Sequence, residues 1–411
     1  MQNITRLAII DRGEPAVRVV AAVGNLNRSR TVPTGSATDA APTDPSSSAS
    51  SPAPITTVVV HTGPKTRAWY AREADETVQL PGEPGTLLPA QVVIDALVAA
   101  AVDAVWLGRV PCADLAELVA ACEGVGLTLV GPNSTTVRAL TDRSALRSLV
   151  DEAGAALLDT RQDARGLRRL EADFIVDVPG NVWSLGLRDV SVRRGDHLLI
   201  AELPAPGVDA LAAEAMQHIV EELAQATGYR GAGTVQFALD PDTGGFWVRS
   251  VDPYPRPDQA LYEESTGTSV IGMRIQVARG DRPPEPPRPE GHAIAVRVRA
   301  QDPDADFAPA TTTVEMVSLP VGTGVRIDAS LREGDVINAA IDPTVASLTG
   351  WGHDRTEAIA RVRRGLERMV IVLQDGVTTR SNVLVLLNHP ELTAGAVPEH
   401  WADDLIAAGD N

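Results

Sequence analysis

Four short apolar runs, separated by segments of helical period, constrain the first 130 residues more than any other feature. They are Leu7-Ala8-Ile9-Ile10, Thr57-Val58-Val59-Val60, Ala104-Val105-Trp106-Leu107 and Leu127-Thr128-Leu129-Val130. Each has strand length and is bounded by polar or glycine-containing turns. Between them lie a helix carrying Val17, Val20 and Ala21, a helix from Gln91 to Ala101 with Ile94, Leu97 and Val98, and a helix with Leu115, Leu118 and Cys122. Strands alternating with helices predict a parallel, doubly wound sheet, with ligands gathering at the carboxyl ends of its strands. The stretch from Arg30 to Pro54 is rich in Ser, Thr, Pro, Ala and Asp. It has almost nothing to bury and reads as a disordered insertion in a helix-to-strand connection, away from the ligand edge.

The pattern then changes. After a helix and a short polar stretch between about Thr141 and Asp173, the amphipathic segment Val208 to Ala226 repeats Leu211, Ala215, Ile219 and Leu223 at spacing four. Two strands follow, Thr234 to Leu239 and Phe246 to Val251, joined by a hairpin loop of Asp240-Pro241-Asp242-Thr243-Gly244-Gly245. The proline-rich stretch Arg282 to Pro289 reads as a linker. The region from Gly291 is rich in strands and closes with a helix from Asp354 whose core face is Ile359, Val362, Leu366 and Met369. The chain is therefore α/β and α+β, with units at 1–140, 141–285 and 290–396 and a tail at 397–411.

Composition excludes several kinds of chemistry. Of 36 basic residues, Lys65 is the single lysine. Its context, His61-Thr62-Gly63-Pro64-Lys65, fits no Schiff-base, biotinyl or P-loop lysine. A net charge of −18 opposes nucleic-acid binding, which needs a basic face. Cys112 and Cys122 read as small buried hydrophobes on a helix, and the seven histidines form no ligand pair at i, i+4. No apolar run approaches the ~20 residues of a membrane span, and the first twelve residues lack a signal-peptide core, so a cytoplasmic, membrane-free protein is expected.

Ten ordered motifs run from the first strand to about residue 395. Asp11-Arg12-Gly13-Glu14-Pro15-Ala16-Val17-Arg18 is followed by Ala74-Asp75-Glu76, Gly131-Pro132 with Thr141-Asp142-Arg143, and Arg188-Asp189-Val190-Ser191-Val192-Arg193-Arg194. Then come Glu202-Leu203-Pro204-Ala205-Pro206, Tyr229 to Phe237, Gly291-His292-Ala293-Ile294, Phe307-Ala308-Pro309, Gly324-Val325-Arg326 and Gly376-Val377-Thr378-Thr379. Together they resemble biotin carboxylase, the ATP-grasp subunit or domain of biotin-dependent acyl-CoA and pyruvate carboxylases. The resemblance implies a doubly wound N-terminal domain, an ATP-grasp domain over 141–285 and a strand-rich C-terminal domain.

The departures from that pattern fall on chemistry. The family's glycine-rich lid and neighbouring lysine have no counterpart between Gly154 and Arg188, so most of the lid subdomain is expected to be missing. The family's Gly-Asp-Lys becomes Thr141-Asp142-Arg143, leaving Asp142 and Arg143 as vestigial ATP-site candidates. The two magnesium glutamates fall at Gln236 and Ser250, which delete charged oxygen ligands, so no metal site is expected. Nearby Asp240 and Asp252 read as loop and turn residues. The catalytic arginine falls at Tyr254, the general-base glutamate at Asp258, the bicarbonate lysine at Leu198 and its neighbouring histidine at Asp196. Arg326 matches the arginine that steadies the biotin enolate. Arg326 and Asp258 are thus the vestigial catalytic candidates.

Removing one preorganised electrostatic donor costs about 2.7–4 kcal/mol of barrier, and roughly five are altered here. The leading expectation is a pseudoenzyme that serves as a structural or regulatory component of a biotin-dependent acyl-CoA carboxylase complex. It would form a homo- or hetero-oligomer with carboxyltransferase, biotin-carrier or biotin carboxylase subunits, with no cofactor. The alternatives are a divergent ligase still binding ATP and magnesium through Asp142, Arg143 and Asp258, and a small-molecule sensor using the emptied cleft.

Overall fold

The computed structural model describes residues 3–31, 53–64, 68–108, 110, 112–159, 166–255, 257–302, 305, 308–329, 331–339 and 342–407. Lys65 and nearly all of the serine- and proline-rich stretch lie outside them.

The first unit contains β1 (Arg6–Ile10), α1 (Glu14–Thr31), β2 (Thr56–Thr62), β3 (Glu76–Leu80), α2 (Ala90–Ala99), β4 (Ala104–Leu107), α3 (Leu115–Gly124), β5 (Thr128–Leu129) and α4 (Ser134–Thr141). All pairings are parallel, in the order β3-β2-β1-β4-β5. The order winds outward both ways from β1, which buries the runs of β1, β2 and β4 on both faces and leaves edge strand β5 half-buried. On α2 the core face is Val93, Ile94 and Leu97, whereas Val98 is 54% exposed, contrary to the sequence reading. Cys122 lies on α3, where burial pushes its thiol up to about 12; Cys112 instead precedes the helix, bridged to Leu88.

The second unit adds α5 (Arg143–Glu152), β6 (Arg168–Val176), β7 (Val182–Arg194), β8 (His197–Leu203), α6 (Ala210–Ala226), β9 (Gly231–Leu239), β10 (Phe246–Asp252), α7 (Ala260–Thr266) and α8 (Val270–Arg279). The third adds β11 (His292–Asp302), β12 (Ala308–Pro309), β13 (Thr312–Ser318), β14 (Val325–Asp328), β15 (Val336–Ile337), β16 (Thr344–Gly352), α9 (Arg355–Arg368), β17 (Val370–Leu373), β18 (Val377–Thr378), α10 (Arg380–Asn388), α11 (Pro390–Ala394) and α12 (Trp401–Ala407). A ten-stranded sheet joins the two units, running β10-β9-β6-β7-β8-β11-β16-β14, with β12 and β18 paired to β11. The seam is the antiparallel β8–β11 pair, for example Ala293 opposite Leu203.

Strands β6, β7 and β8 do not follow from the apolar pattern because charged side chains are buried along them in pairs. Arg168 meets Asp189 at 2.6 Å, and Arg188 meets Glu171 at 2.6 Å and also Asp173. On α6 the buried face is Met216, Ile219, Val220 and Leu223, and Leu211 is 75% exposed in its first turn. The stretch between α8 and β11 is tied down rather than a free linker, since Tyr262 donates to the Pro287 carbonyl at 2.7 Å. Residues expected as a tail instead form α12, which packs on β7 and buries Ala402 completely. Among the described residues no helix is long and apolar enough to cross a membrane.

Candidate functional site

The β9–β10 pair places Ser250 directly opposite Gln236. The two positions where the resemblance expects glutamates are therefore cross-strand neighbours. The Gln236 carboxamide is engaged at both ends: its Oε1 accepts from Arg169 Nη2 at 2.6 Å and Nε at 3.2 Å, and its Nε2 donates to Asp252 at 2.5 Å. Arg169 projects from β6, which pairs Glu171 with Gln236.

Behind Arg169 stands Glu399, from the segment between α11 and α12. Its main-chain N–H donates to the Leu167 carbonyl at 2.7 Å, pinning the segment beside β6. Its carboxylate lies 3.5 Å from Arg169 and 2.7 Å from Arg249 of β10. Helix α12, which follows, is held as well: its Asp403 accepts from the Gly195 N–H at 3.1 Å in the β7–β8 turn. Neither Arg169 nor Glu399 stood out in the sequence, because the first lies in a charge-rich stretch and the second beyond the last motif.

A hard divalent cation does not fit this corner. Its donors would be the Asp252 carboxylate, the Ser250 hydroxyl and a carboxamide oxygen already taken by a guanidinium, while the Glu399 carboxylate is committed to Arg169 and Arg249. A dication placed ~4 Å from that guanidinium would meet roughly 8 kcal/mol of repulsion at an effective dielectric near 20. Among the described residues no group of three or more His, Cys, Asp and Glu could hold a metal ion.

A cavity of about 530 Å³ lies alongside. The structure brings together on its wall the four positions singled out for altered chemistry, Asp196, Leu198, Tyr254 and Asp258, with Arg193 and Arg299 among their neighbours. Asp258 is 5% exposed and pairs through Oδ1 with Arg297 at 2.8 Å. Burial raises its pKa, but Arg297, Arg188 and Arg18 together outweigh burial and hold it below the usual carboxylate range. Its Oδ2 is buried with no hydrogen-bond partner among the described residues, and so is the Tyr254 hydroxyl. Burial also raises the Tyr254 phenol, which therefore stays neutral at ordinary pH. The Tyr254 ring is wedged against Gly131, where a Cβ would come within 2.3 Å of it. Where the resemblance expects two cations, the wall presents an isobutyl group and a neutral phenol.

The remaining candidates lie elsewhere. Asp142 caps α5, accepting from Ser144 and Ala145 N–H groups at 2.9 and 2.8 Å. Arg143 donates to the Leu158 carbonyl. Neither lines the cavity. Arg326 faces a different cavity, where it pairs with Glu263 at 2.8 Å and Asp328 at 2.9 Å. It is thus separated from Asp258 and saturated by carboxylates.

Comparison with known proteins follows the same three units. The biotin carboxylase N-terminal domain model matches residues 3–137, the carbamoyl-phosphate synthase L chain ATP-binding domain model matches 122–285, and the biotin carboxylase C-terminal domain model matches 295–404. The chain is 26% identical to a biotin carboxylase from Nostoc sp. over 390 residues, covering 77% of this chain and 87% of that protein. It is 24% identical to the mitochondrial methylcrotonoyl-CoA carboxylase subunit alpha of Glycine max over 423 residues, covering 85% of this chain but 57% of that subunit. The chain thus spans little more than half of such subunits. Among solved structures, the multifunctional pyruvate carboxylase of Rhizobium etli superposes with a TM-score of 0.83 at 26% identity, over 98% of this chain and 36% of that one. The biotin carboxylase subunit of a pyruvate carboxylase superposes with a TM-score of 0.85 at 21% identity, over 98% of both chains, a likeness of fold.

Proposed function

This chain belongs to the biotin carboxylase family, and from that premise we propose that it is a non-carboxylating member that serves as a structural or regulatory component of a biotin-dependent acyl-CoA carboxylase assembly. The observation that carries the reading is the Arg169–Gln236 contact at 2.6 Å, backed by Glu399. A built-in guanidinium and its counter-carboxylate stand where ATP-dependent carboxylation calls for a divalent cation. The loss of cationic side chains at 198 and 254 supports the same reading, since bicarbonate would meet no positive group at either position. Between α5 and β6, residues 153–167 leave too little chain for a folded lid over the phosphates.

A framework kept intact around altered chemistry suits docking. The relatives are subunits or domains of multi-domain carboxylases. Carboxyltransferase and biotin-carrier components are accordingly the partners we propose. Affinity capture of the full chain from its own cells, followed by probing for biotinylated protein, tests this. Recovery of a biotin carrier or carboxyltransferase supports the proposal, and recovery of neither contradicts it. Calorimetric titration with MgATP separates this reading from a divergent ligase, for which saturable binding is required.

A further inference from the structure

On the wall of the cavity of about 530 Å³, Asp258 and Arg297 form a pair whose hydrogen-bonding capacity is only partly used. Arg297, on β11, spends Nε and Nη2 on the same oxygen, Asp258 Oδ1, at 3.1 and 2.8 Å. Its Nη1 bonds to nothing among the described residues. The other Asp258 oxygen, Oδ2, is buried and accepts no bond. Arg297, Arg188 and Arg18 keep the carboxyl ionised in spite of burial, so Oδ2 is an anionic acceptor removed from water with nothing donated to it. Such an acceptor ordinarily finds a donor, because leaving it bare forfeits its hydration.

The charge around the pair decides what kind of donor fits. Glu171 is matched by Arg188 at 2.6 Å, and Asp252 takes the Gln236 amide hydrogen at 2.5 Å. Asp11 and Asp196 share the rest of the wall with Arg193 and Arg299. Neither sign is in excess, so an added ammonium meets guanidinium groups and an added carboxylate meets carboxylates. An uncharged group avoids both penalties. Leu198, which is 7% exposed, lies with Pro255 and Pro343 on the same wall and offers apolar surface to the body of such a ligand.

We propose that this cavity binds a small uncharged carboxamide, whose N–H meets Asp258 Oδ2 and whose carbonyl meets the Arg297 guanidinium. A carboxamide carries donor and acceptor on one planar group, the complement of a carboxylate beside a guanidinium. Its alkyl body lies against Leu198. The volume, room for roughly seventeen waters, is ample for such a molecule. The proposal rests on the reading that carboxylation is lost, because it gives the same cavity a neutral occupant in place of bicarbonate.

The test is thermal-shift and calorimetric titration of the full chain, at constant ionic strength, with isobutyramide, isobutylamine and isobutyrate, three molecules of similar shape and different charge. Saturable binding of isobutyramide with a Kd at or below about 10 mM, and at least about tenfold weaker binding of the two ions, supports the proposal. Leu198→Trp fills the apolar wall without burying a charge and is expected to abolish amide binding, whereas Leu211→Ser, on the exposed start of α6, leaves it unchanged. In Asp258→Asn the carbonyl oxygen stays with Arg297 and an NH2 group replaces Oδ2, so binding is expected to fall at least about tenfold. Both cavity variants are checked for folding by circular dichroism. Binding of either ion as tight as the amide, no saturable amide binding below about 10 mM, or amide binding unaffected by both cavity variants overturns the proposal. ADP release from MgATP with bicarbonate and biotin reads the underlying premise separately: ADP formation ends that premise, whereas failed amide binding without ADP formation ends the carboxamide proposal alone.

Discussion

Arg169 donates to the carboxamide oxygen of Gln236 at 2.6 Å, so a fixed protein cation occupies the corner where the resemblance places metal ligands at Gln236 and Ser250. The first consequence concerns restoring the ligand. In Gln236→Glu one new oxygen pairs with Arg169 while the other loses the Nε2 donation and meets the Asp252 carboxylate, so the two effects oppose and stability is expected to change by no more than about 1 kcal/mol. Titration with magnesium chloride is expected to show no binding. Tight magnesium binding by this single variant would contradict the assignment of Arg169.

Glu399 serves two arginines, 3.5 Å from Arg169 and 2.7 Å from Arg249, and is 8% exposed. Glu399→Ala leaves both guanidinium groups without their shared counter-charge and is expected to cost about 2–3 kcal/mol, read by urea denaturation. The loss should be accompanied by faster hydrogen exchange in α12, because only the main-chain bond to Leu167 is left to hold the segment once the pairs with Arg169 and Arg249 are gone.

Much of the first unit was legible in sequence and much of the second was not, for physical reasons. Runs such as Ala104–Leu107 are buried on both faces and advertise themselves by continuous hydrophobicity. Strand β6 carries Arg168, Arg169, Glu171 and Asp173, whose partners lie on β7, β9 and β10 or beyond α11. Nothing local reveals that such charges are paired inside a sheet. Leu198, Tyr254 and Asp258 were legible as candidates only through motif order, and their convergence on one cavity is a product of topology. Arg326 was legible as a motif residue, but its carboxylate partners come from α7 and β14.

Glu14 is 4% exposed and shares Arg18 with Glu263 and Asp328. Burial raises its pKa from 4.5 to about 8 despite Arg18. Between those values the native state holds a proton that the unfolded state has released, so this group's contribution to stability falls as pH rises from about 5 to 8. Glu14→Gln removes that slope. Relative to the parent, the variant should gain at least about 1 kcal/mol between pH 5.5 and 8 in paired denaturation curves. A flat difference would show that Glu14 is ionised throughout.

Asp258 shifts the other way. Its pKa lies below the ordinary value, so its ion pair with Arg297 contributes stability above pH 4 that disappears as pH falls through the depressed pKa. Asp258→Asn is expected to cost about 2–4 kcal/mol at pH 7, with the difference from the parent shrinking as pH falls through the depressed pKa.

Whether this fold carries out carboxylation is decided most directly by ADP release from MgATP in the presence of bicarbonate and free biotin, using the full chain at high concentration. No ADP above the protein-free background is expected, with or without biotin. ADP formation that scales with protein concentration and requires both bicarbonate and biotin would contradict it.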